Sequence, residues 1–502
     1  MYTRKIAEPA SFSEYLTTFK KTIKSVFNEK KNTEKLFHER VFPPSVLKDI
    51  MTTRPLSVGI PKEFGGRGAE VKECLGILDA ASYESLPLSL TLGINIALFL
   101  EPVAKYGQES VKADVFSRFL NQQSMGGLMI TEPDYGSDAL NMQTSNVKIG
   151  SEYHIKGTKH WQGLTGLADY WLITSRQKRD SGELGRDIDF FICDVQQANQ
   201  SIKVEEYYNN IGLYPIPFGK NIVDIQVSEQ FKLEPESTGL KMMMDLLHRS
   251  RFHFPGMGMG FIRRNLDEAI KHCTTRIIGG KPLIAMDQVK HQISKVQSAF
   301  TVCSAMCSRS AAFSGIVNNL ASEGIEANSM KAYITDLMQE SAQTVAQLSG
   351  ANGYKVESFG SRAIIDSRPF QIFEGSNEML YTQISEMVLK LMNSQKTMNL
   401  SEFLMNYKLT KNVADHFKSI LNFKIDLNNT QRKNVDLGKI ISRIISADFV
   451  AELGLKGFRQ DLIRNSIETI KHEISMLVSS YKFETKLTPI EEYHHSSNWL
   501  TL

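Results

Sequence analysis

Glu374 stands between an aromatic ring and a glycine in FQIFEGSNEM, residues 370–379. Phe370 and Ile372 precede it. An apolar stripe at helical spacing follows, through Met379, Leu380, Ile384, Met387, Val388 and Leu391. Two readings fit this setting. The acid is a loop residue before a helix start, or it is a base in a dry pocket. In the second case apolar neighbours raise its pKa by desolvation. A carboxylate raised in this way suits removal of a weakly acidic C–H proton. Phe373 then dries the carboxylate, and Gly375 leaves room for a substrate. Glu378 reads as an ordinary helix acid.

Three other stretches carry possible chemistry. GLMITEPDYGSDALNMQT (127–144) runs through Thr131, Glu132 and Pro133 into a turn with Gly136, Ser137 and Asp138. Such a turn offers N–H groups and a hydroxyl to phosphate or ring heteroatoms, or is simply a strand leaving into an Asx or Ser turn. In KHWQGLTGLADYW (159–171), Trp161 beside glycines can stack on a flat ring or fill a core. RSRFHFPGMGMGF (249–261) is not GxGxxG and follows no β-rich segment, so its glycines read as close helix packing. No GxxxxGK[ST] or HExxH occurs, and GLMIT is not a nucleophile elbow.

The elements that must position these residues follow from periodicity. Residues 1–125 read as helical, with Val46 to Met51 and Val71 to Ser82 as examples. GIPKEFGGRG (59–68) is a loop. LSLTLGINIALFLEPVAKYG (88–107) reads as a buried helix ending near Gly107. Short β-rich runs fill 126–235: KHWQG, DYWLITSRQ, IDFFICDV and NIVDIQVS. Long helical segments return over 236–394, at Gly256–Arg276, Met286–Val317 and Ser329–Ser349. A further helix-patterned region covers 395–502, with amphipathic stripes at 437–458 and 463–481. The fold class is α+β, mainly α.

The chain's 502 residues allow several domains with sizeable cores. With 58 basic and 55 acidic residues, nothing argues for nucleic acid as a partner. Cys74, Cys193, Cys273, Cys303 and Cys307 form no CxxC pair and read as reduced core thiols, with no metal site. No run of 18 apolar residues occurs, so no membrane span is expected. The first residues lack an apolar signal core, and Glu8 and Glu14 weigh against a transit peptide. A cytoplasmic setting is expected.

In this order and spacing, six stretches resemble motifs of the acyl-CoA dehydrogenase family. GIPKEFGGRG resembles IPEEYGG, MITEPDYGSD resembles TEPxAGSD, and GTKHWQG resembles GxKxWITN. Arg251 to Arg276 followed by GGKPL resembles the helix ending in RxxFGKPL. LSGANGY resembles FGGNGY, and QIFEGSNEM resembles QIYEGTNEI. The resemblance spans about residues 40 to 392. It implies an N-terminal helical domain, a small middle β-barrel or sandwich, and a C-terminal four-helix bundle, here with extra C-terminal helices.

The resemblance also implies a function in fatty acid or lipid metabolism. Glu374 matches the base that removes the α proton of an acyl thioester while FAD takes the β hydrogen at N5. Ile130 and Thr131 match flavin-ring contacts, Ser137 a serine near the pyrophosphate, and Trp161 the tryptophan against the flavin. Arg276, Gln288, Gln347 and Gly350 match residues that hold the FAD of a neighbouring subunit. Ser376 matches a threonine that touches FAD, and Arg251 a structural arginine of the active-site helix. Gly375 and Arg251 are expected beside the substrate. The implied partners are acyl-CoA or an acyl carrier protein thioester, an electron-transferring flavoprotein as acceptor, and further copies in a homodimer or tetramer.

Three departures stand out. Gly163 replaces the threonine beside flavin N5, which raises an oxidase using O2 as an alternative. Gly279 replaces the phenylalanine of RxxFG, and the loop to Gln288 is one residue longer. Ala351 replaces a glycine of FGGNG. These, with the added C-terminal region, raise a non-catalytic binding or assembly module as a third reading.

Overall fold

The computed structural model describes residues 11–29, 40–484 and 487–502. Glu8, used above against a transit peptide, lies outside them. The chain opens with α1 (Phe12–Lys24), α2 (Pro44–Met51), α3 (Val71–Glu84), α4 (Leu86–Tyr106) and α5 (Glu109–Asn121). Ser11 and Glu14 close a reciprocal capping box on α1. In α4, Leu, Ile, Phe and Ala recur on every face, so the helix must be enclosed on all sides. It is long and apolar enough to cross a membrane, yet 94% of its most apolar window is packed inside the fold.

Seven strands follow: β1 (Gly126–Met129), β2 (Ser145–Ile149), β3 (Glu152–Gly163), β4 (Tyr170–Gln177), β5 (Asp189–Asp194), β6 (Ile202–Tyr207) and β7 (Phe218–Ser228). Their order is β1-β4-β2-β3-β7-β6, with β5 also on β4. β4 pairs in parallel with β1 and β2, and the other pairings are antiparallel. The first six residues of β4 are all buried, the apolar run of Tyr170 to Ile173 together with Thr174 and Ser175. β7 alternates, with Gly219, Asn221, Val223, Ile225 and Val227 inward. A bulge between His160 and Gln162 turns Trp161 out of β3 at φ +62°.

The chain then enters α6 (Gly239–Thr275), a hairpin of β8 (Ile277–Ile278) and β9 (Lys281–Pro282), α7 (Asp287–Phe313), α8 (Gly324–Leu348), α9 (Phe359–Ser367) and α10 (Asn377–Ser394). α6 starts well before Gly256, where the sequence reading began the segment, and runs through Pro255. Tertiary packing overrides the break, because nearly every residue from His248 to Gly258 is buried. The glycine stripe lets α6 approach its neighbours. A Cβ at Gly256 would sit 3.0 Å from Leu75 Cα, at Gly258 2.7 Å from Ile334 Cγ1, and at Gly260 1.9 Å from Asp79 O. The helix-packing reading of GMGMG holds.

The added region folds as α11 (Leu400–Asn406), α12 (Lys418–Leu421), α13 (Gln431–Leu455) and α14 (Gln460–Lys482). α13 lies on α10, α7 and α8, and α14 covers α13 and α7. All five cysteines are free; Cys307 is half-buried and the rest are buried.

Candidate active site

Glu374 sits at φ +53°, in the left-handed region that few residues other than glycine adopt. Its neighbours hold it there. Arg251 on α6 donates from Nη2 to the Glu374 carbonyl (2.9 Å) and from Nη1 to Asn328 Oδ1 (2.6 Å). Lys331 on α8 donates from Nζ to the Gly375 carbonyl (2.8 Å) and to Asn377 Oδ1 (3.1 Å). Ser376 then caps α10 by accepting from Met379 N. Gly375 follows at φ +94°, a conformation that glycine adopts without strain, and a Cβ there would meet Met379 Cε at 2.8 Å and Leu380 Cδ2 at 3.0 Å.

The carboxylate is divided in function. Ser250 Oγ donates to Oε1 at 2.8 Å. Oε2 is buried and, among the described residues, has no hydrogen-bond partner. The Glu374 amide likewise donates to no backbone or side chain among the described residues. Phe254, Phe370 and Phe373 pack as a ring cluster beside it, with centroids 4.9 to 6.1 Å apart. Burial therefore raises the Glu374 pKa, although Arg251, Ser250, Lys331 and His253 all favour its charge. Burial also lowers both cations, Arg251 to about 10 and Lys331 to about 7. The site thus holds an acid raised and a lysine lowered toward neutrality, the pattern of groups that exchange protons.

A second set lies on the sheet. After β1 the chain passes through half-buried Ile130 and Thr131 to Ser137, which is exposed. Glu132 anchors this loop by accepting from Gln143 N (2.5 Å), Thr144 N (3.0 Å) and the buried Lys159 Nζ (2.8 Å). Burial opposes the Glu132 charge, but Lys159 and these donors hold its pKa below the ordinary value. Burial takes Lys159 down to about 8. Trp161 is 52% exposed, with its ring 4.4 Å from that of Tyr208, so it is not a core residue; Trp171, 2% exposed, is. Gly163 faces Ile94 of α4, Ile216 and Phe218, and a Cβ there would lie 2.9 Å from Ile94 Cδ1.

α4 and α9 tie the two sets together. Gly93 packs on Met257 of α6, and the next residue, Ile94, packs on Gly163. Asn95 Oδ1 accepts from Gly126 N at the start of β1 (2.7 Å). Asp366 of α9 accepts from Leu213 N (2.6 Å), which fixes the loop that carries Ile216. α9 in turn leads directly into the Glu374 segment.

Arg276, Gln288, Gln347 and Gly350 stand apart. All four are exposed, at the C-terminal end of α6, the N-terminal end of α7 and the C-terminal end of α8. At 1.5 Å per residue, Arg276 lies about 37 Å along α6 from Arg251. The exposed Ile277, Ile278, Met286, Tyr354 and Val356 surround them. Sequence reasoning missed Ser250, Lys331, Glu132 and Lys159 as members of the site. The available signal was a lysine inside an apolar helical run, SMKAYI.

Known proteins share this fold. In order, the chain matches the acyl-CoA dehydrogenase N-terminal domain over residues 13–123, the middle domain over 127–224 and the C-terminal domain over 237–389. An acyl-CoA dehydrogenase of Bacillus subtilis (strain 168) is 24% identical over 353 residues, 69% of this chain and 90% of its own. The caffeyl-CoA reductase-Etf complex subunit CarC of Acetobacterium woodii is 25% identical over 76% of this chain and 99% of its own. The solved acyl-CoA dehydrogenase complexed with FAD from Bacillus anthracis has a TM-score of 0.75 at 19% identity, covering 95% of this chain and 89% of that one. The prolyl acyl carrier protein oxidase AnaB has a TM-score of 0.68 at 18% identity, covering 76% and 100%. A match over 95% of the chain takes in most residues after 395, so the added helices have a counterpart in the Bacillus anthracis structure.

Proposed function

The chain belongs to the acyl-CoA dehydrogenase family, and on that premise we propose that it removes hydrogen from the α and β carbons of an acyl thioester with FAD as cofactor. The observation that carries this reading is the buried Oε2 of Glu374, which, like the amide of the same residue, has no hydrogen-bond partner among the described residues. Glu374 Oε2 takes the α proton. Ser250 keeps Oε1 occupied and so directs the free lone pairs of Oε2 toward the substrate side. Arg251 and Lys331 hold the carbonyls of Glu374 and Gly375, which leaves the Glu374 amide free to polarise the thioester carbonyl as an oxyanion-hole donor. The ring cluster of Phe254, Phe370 and Phe373 excludes water.

The donor set on the sheet fits a flavin. The Thr131 and Ser137 hydroxyls have no partner among the described residues, and the Trp161 indole is exposed at the bulge. When bound, FAD supplies the acceptor for the β hydrogen, which leaves as hydride to give the trans-2-enoyl thioester. Ile130, Thr131, Ser137, Trp161, Gly163 and Ser376 would hold it from this chain. Arg276 lies too far along α6 from Arg251 to serve the same flavin, so with Gln288, Gln347 and Gly350, which the resemblance groups with it, it would hold the FAD of a second copy. The exposed apolar side chains around them support a homo-oligomer.

CoA is the default carrier, and the AnaB likeness keeps an acyl carrier protein thioester in play. An electron-transferring flavoprotein fits as acceptor, given the Etf-associated relative. Glu374→Gln is the direct test: the variant should keep bound yellow FAD but fail to bleach with acyl thioesters under anaerobic conditions. Normal bleaching would remove Glu374 as the base. Gly163 favours one second reading, a flavin oxidase, because no side chain there donates to flavin N5. Rapid re-oxidation of the reduced enzyme by air would support it.

A further inference from the structure

The hydrogen bonds that fix the base loop continue past Lys331. Asn377 Nδ2 donates to Asp336 Oδ1 (2.7 Å) on α8. The same carboxylate accepts from Gln371 Nε2 (2.7 Å) and the Tyr381 hydroxyl (2.7 Å). One acid therefore ties both ends of the Glu374 loop to the first turns of α10. Tyr381 is fully buried, and α13 lies directly on it: a Cβ at Gly438 would fall 2.0 Å from the Tyr381 carbonyl.

From α13, Arg443 bears electrostatically on the Tyr381 hydroxyl and donates from Nε to Glu473 Oε2 of α14 at 2.7 Å. Tyr333 of α8 donates to the same oxygen (3.1 Å), with the Arg443 guanidinium 4.4 Å from its ring. Arg443 and Glu473 are each 7% exposed. A buried ion pair of this kind is weak evidence for stability, because apolar side chains of similar volume often serve as well or better. Its acid is held by Tyr333 of α8, the helix that carries Lys331 and Asp336, and α13 packs on Tyr381 through Gly438, so the pair points to geometry instead.

We propose that α13 and α14 are part of the active-site scaffold, and that Arg443 and Glu473 are positioning residues acting on Glu374 through Tyr381, Asp336, Asn377 and Lys331. This rests on Glu374 being the base. The groups facing the carboxylate are Ser250, Arg251 and His253 from α6 and Lys331 from α8. Only Lys331 is reached from the added helices.

The test uses full-length holoprotein in two forms. Arg443→Met with Glu473→Leu removes the pair but keeps its volume, and Tyr381→Phe deletes one hydroxyl. Amide hydrogen exchange over 371–381 should quicken about tenfold in both, with the β sheet unchanged. The rate of anaerobic flavin bleaching should rise with pH at a higher pH than in wild type, because a loosened Lys331 no longer favours the ionised carboxylate. KM should stay level, and Arg443→Lys should restore part of the rate. Unchanged exchange and an unmoved pH profile in a folded double variant would overturn the proposal. Should the double variant not fold, Tyr381→Phe decides by the same two readouts. Failure of every thioester to bleach the wild type would sink the dehydrogenase reading, while the exchange data would still decide whether the added helices hold the loop.

Discussion

Ser250→Ala offers the sharpest probe of the base. The Ser250 hydroxyl is the one hydrogen-bond donor to the carboxylate among the described residues, at 2.8 Å to Oε1. A hydrogen bond to a charged group contributes about 1.5–3 kcal/mol. It acts on the ionised form of Glu374, so its loss disfavours that form. At 1.36 kcal/mol per pKa unit, the Glu374 pKa should rise by about one to two units. The wild-type rate of flavin bleaching should follow a bell. It climbs with pH as Glu374, raised by burial, ionises. It falls as pH rises past about 7, where Lys331 loses its charge and its hold on the Gly375 carbonyl weakens. In Ser250→Ala the climbing side should move up by one to two units and the falling side should stay, so the bell narrows and drops. Anaerobic stopped-flow across pH 5 to 9 reads both sides. A climbing side that stays in place, with FAD content normal, would refute the link between Ser250 and the base.

Two further substitutions test the scaffold. Glu132→Gln leaves Lys159 buried without its counter-charge, and breaking such a pair costs about 3–5 kcal/mol; the urea unfolding midpoint should fall accordingly, and an unchanged midpoint would mean the pair is silent. Gly260→Ala drives a methyl group to 1.9 Å from Asp79 O, so α6 and α3 must part. Overpacking of this kind costs about 1–3 kcal/mol, and a thermal scan should show a clear fall.

Much of this was legible because the informative patterns are local. The helix–strand–helix order showed through changes of period, whereas the flanks of Glu374 left it either a loop acid or a base, and only the family motifs around it singled it out. The glycines of GMGMG were readable as packing because no strand leads into them. What was not legible depends on long-range closure. Ser250 reaches Glu374 across 124 positions, and Lys331 reaches the loop across more than forty. Neither distance leaves a mark on spacing. The true start of α6, at Gly239, was not legible because burial along the helix outweighs the hydrogen bond lost at Pro255. Trp161 reads as a core tryptophan until the bulge in β3 turns it outward, and a bulge is set by the strand opposite, here β7.

The length of α6 has a consequence for mixed assemblies. Arg251, which holds the Glu374 loop, and Arg276 lie about 37 Å apart along it. Under the proposed sharing between copies, each chain would lend Glu374 to one flavin and Arg276 to another. A lesion at one end and a lesion at the other, carried on different chains, would then gather in a single centre and spare its neighbour. Two inactive variants, Glu374→Gln and Arg276→Glu, co-expressed and purified as a mixed dimer, should recover activity that neither shows alone. Cis and trans arrangements of the same two lesions would therefore differ in outcome, as alleles do in a complementation test.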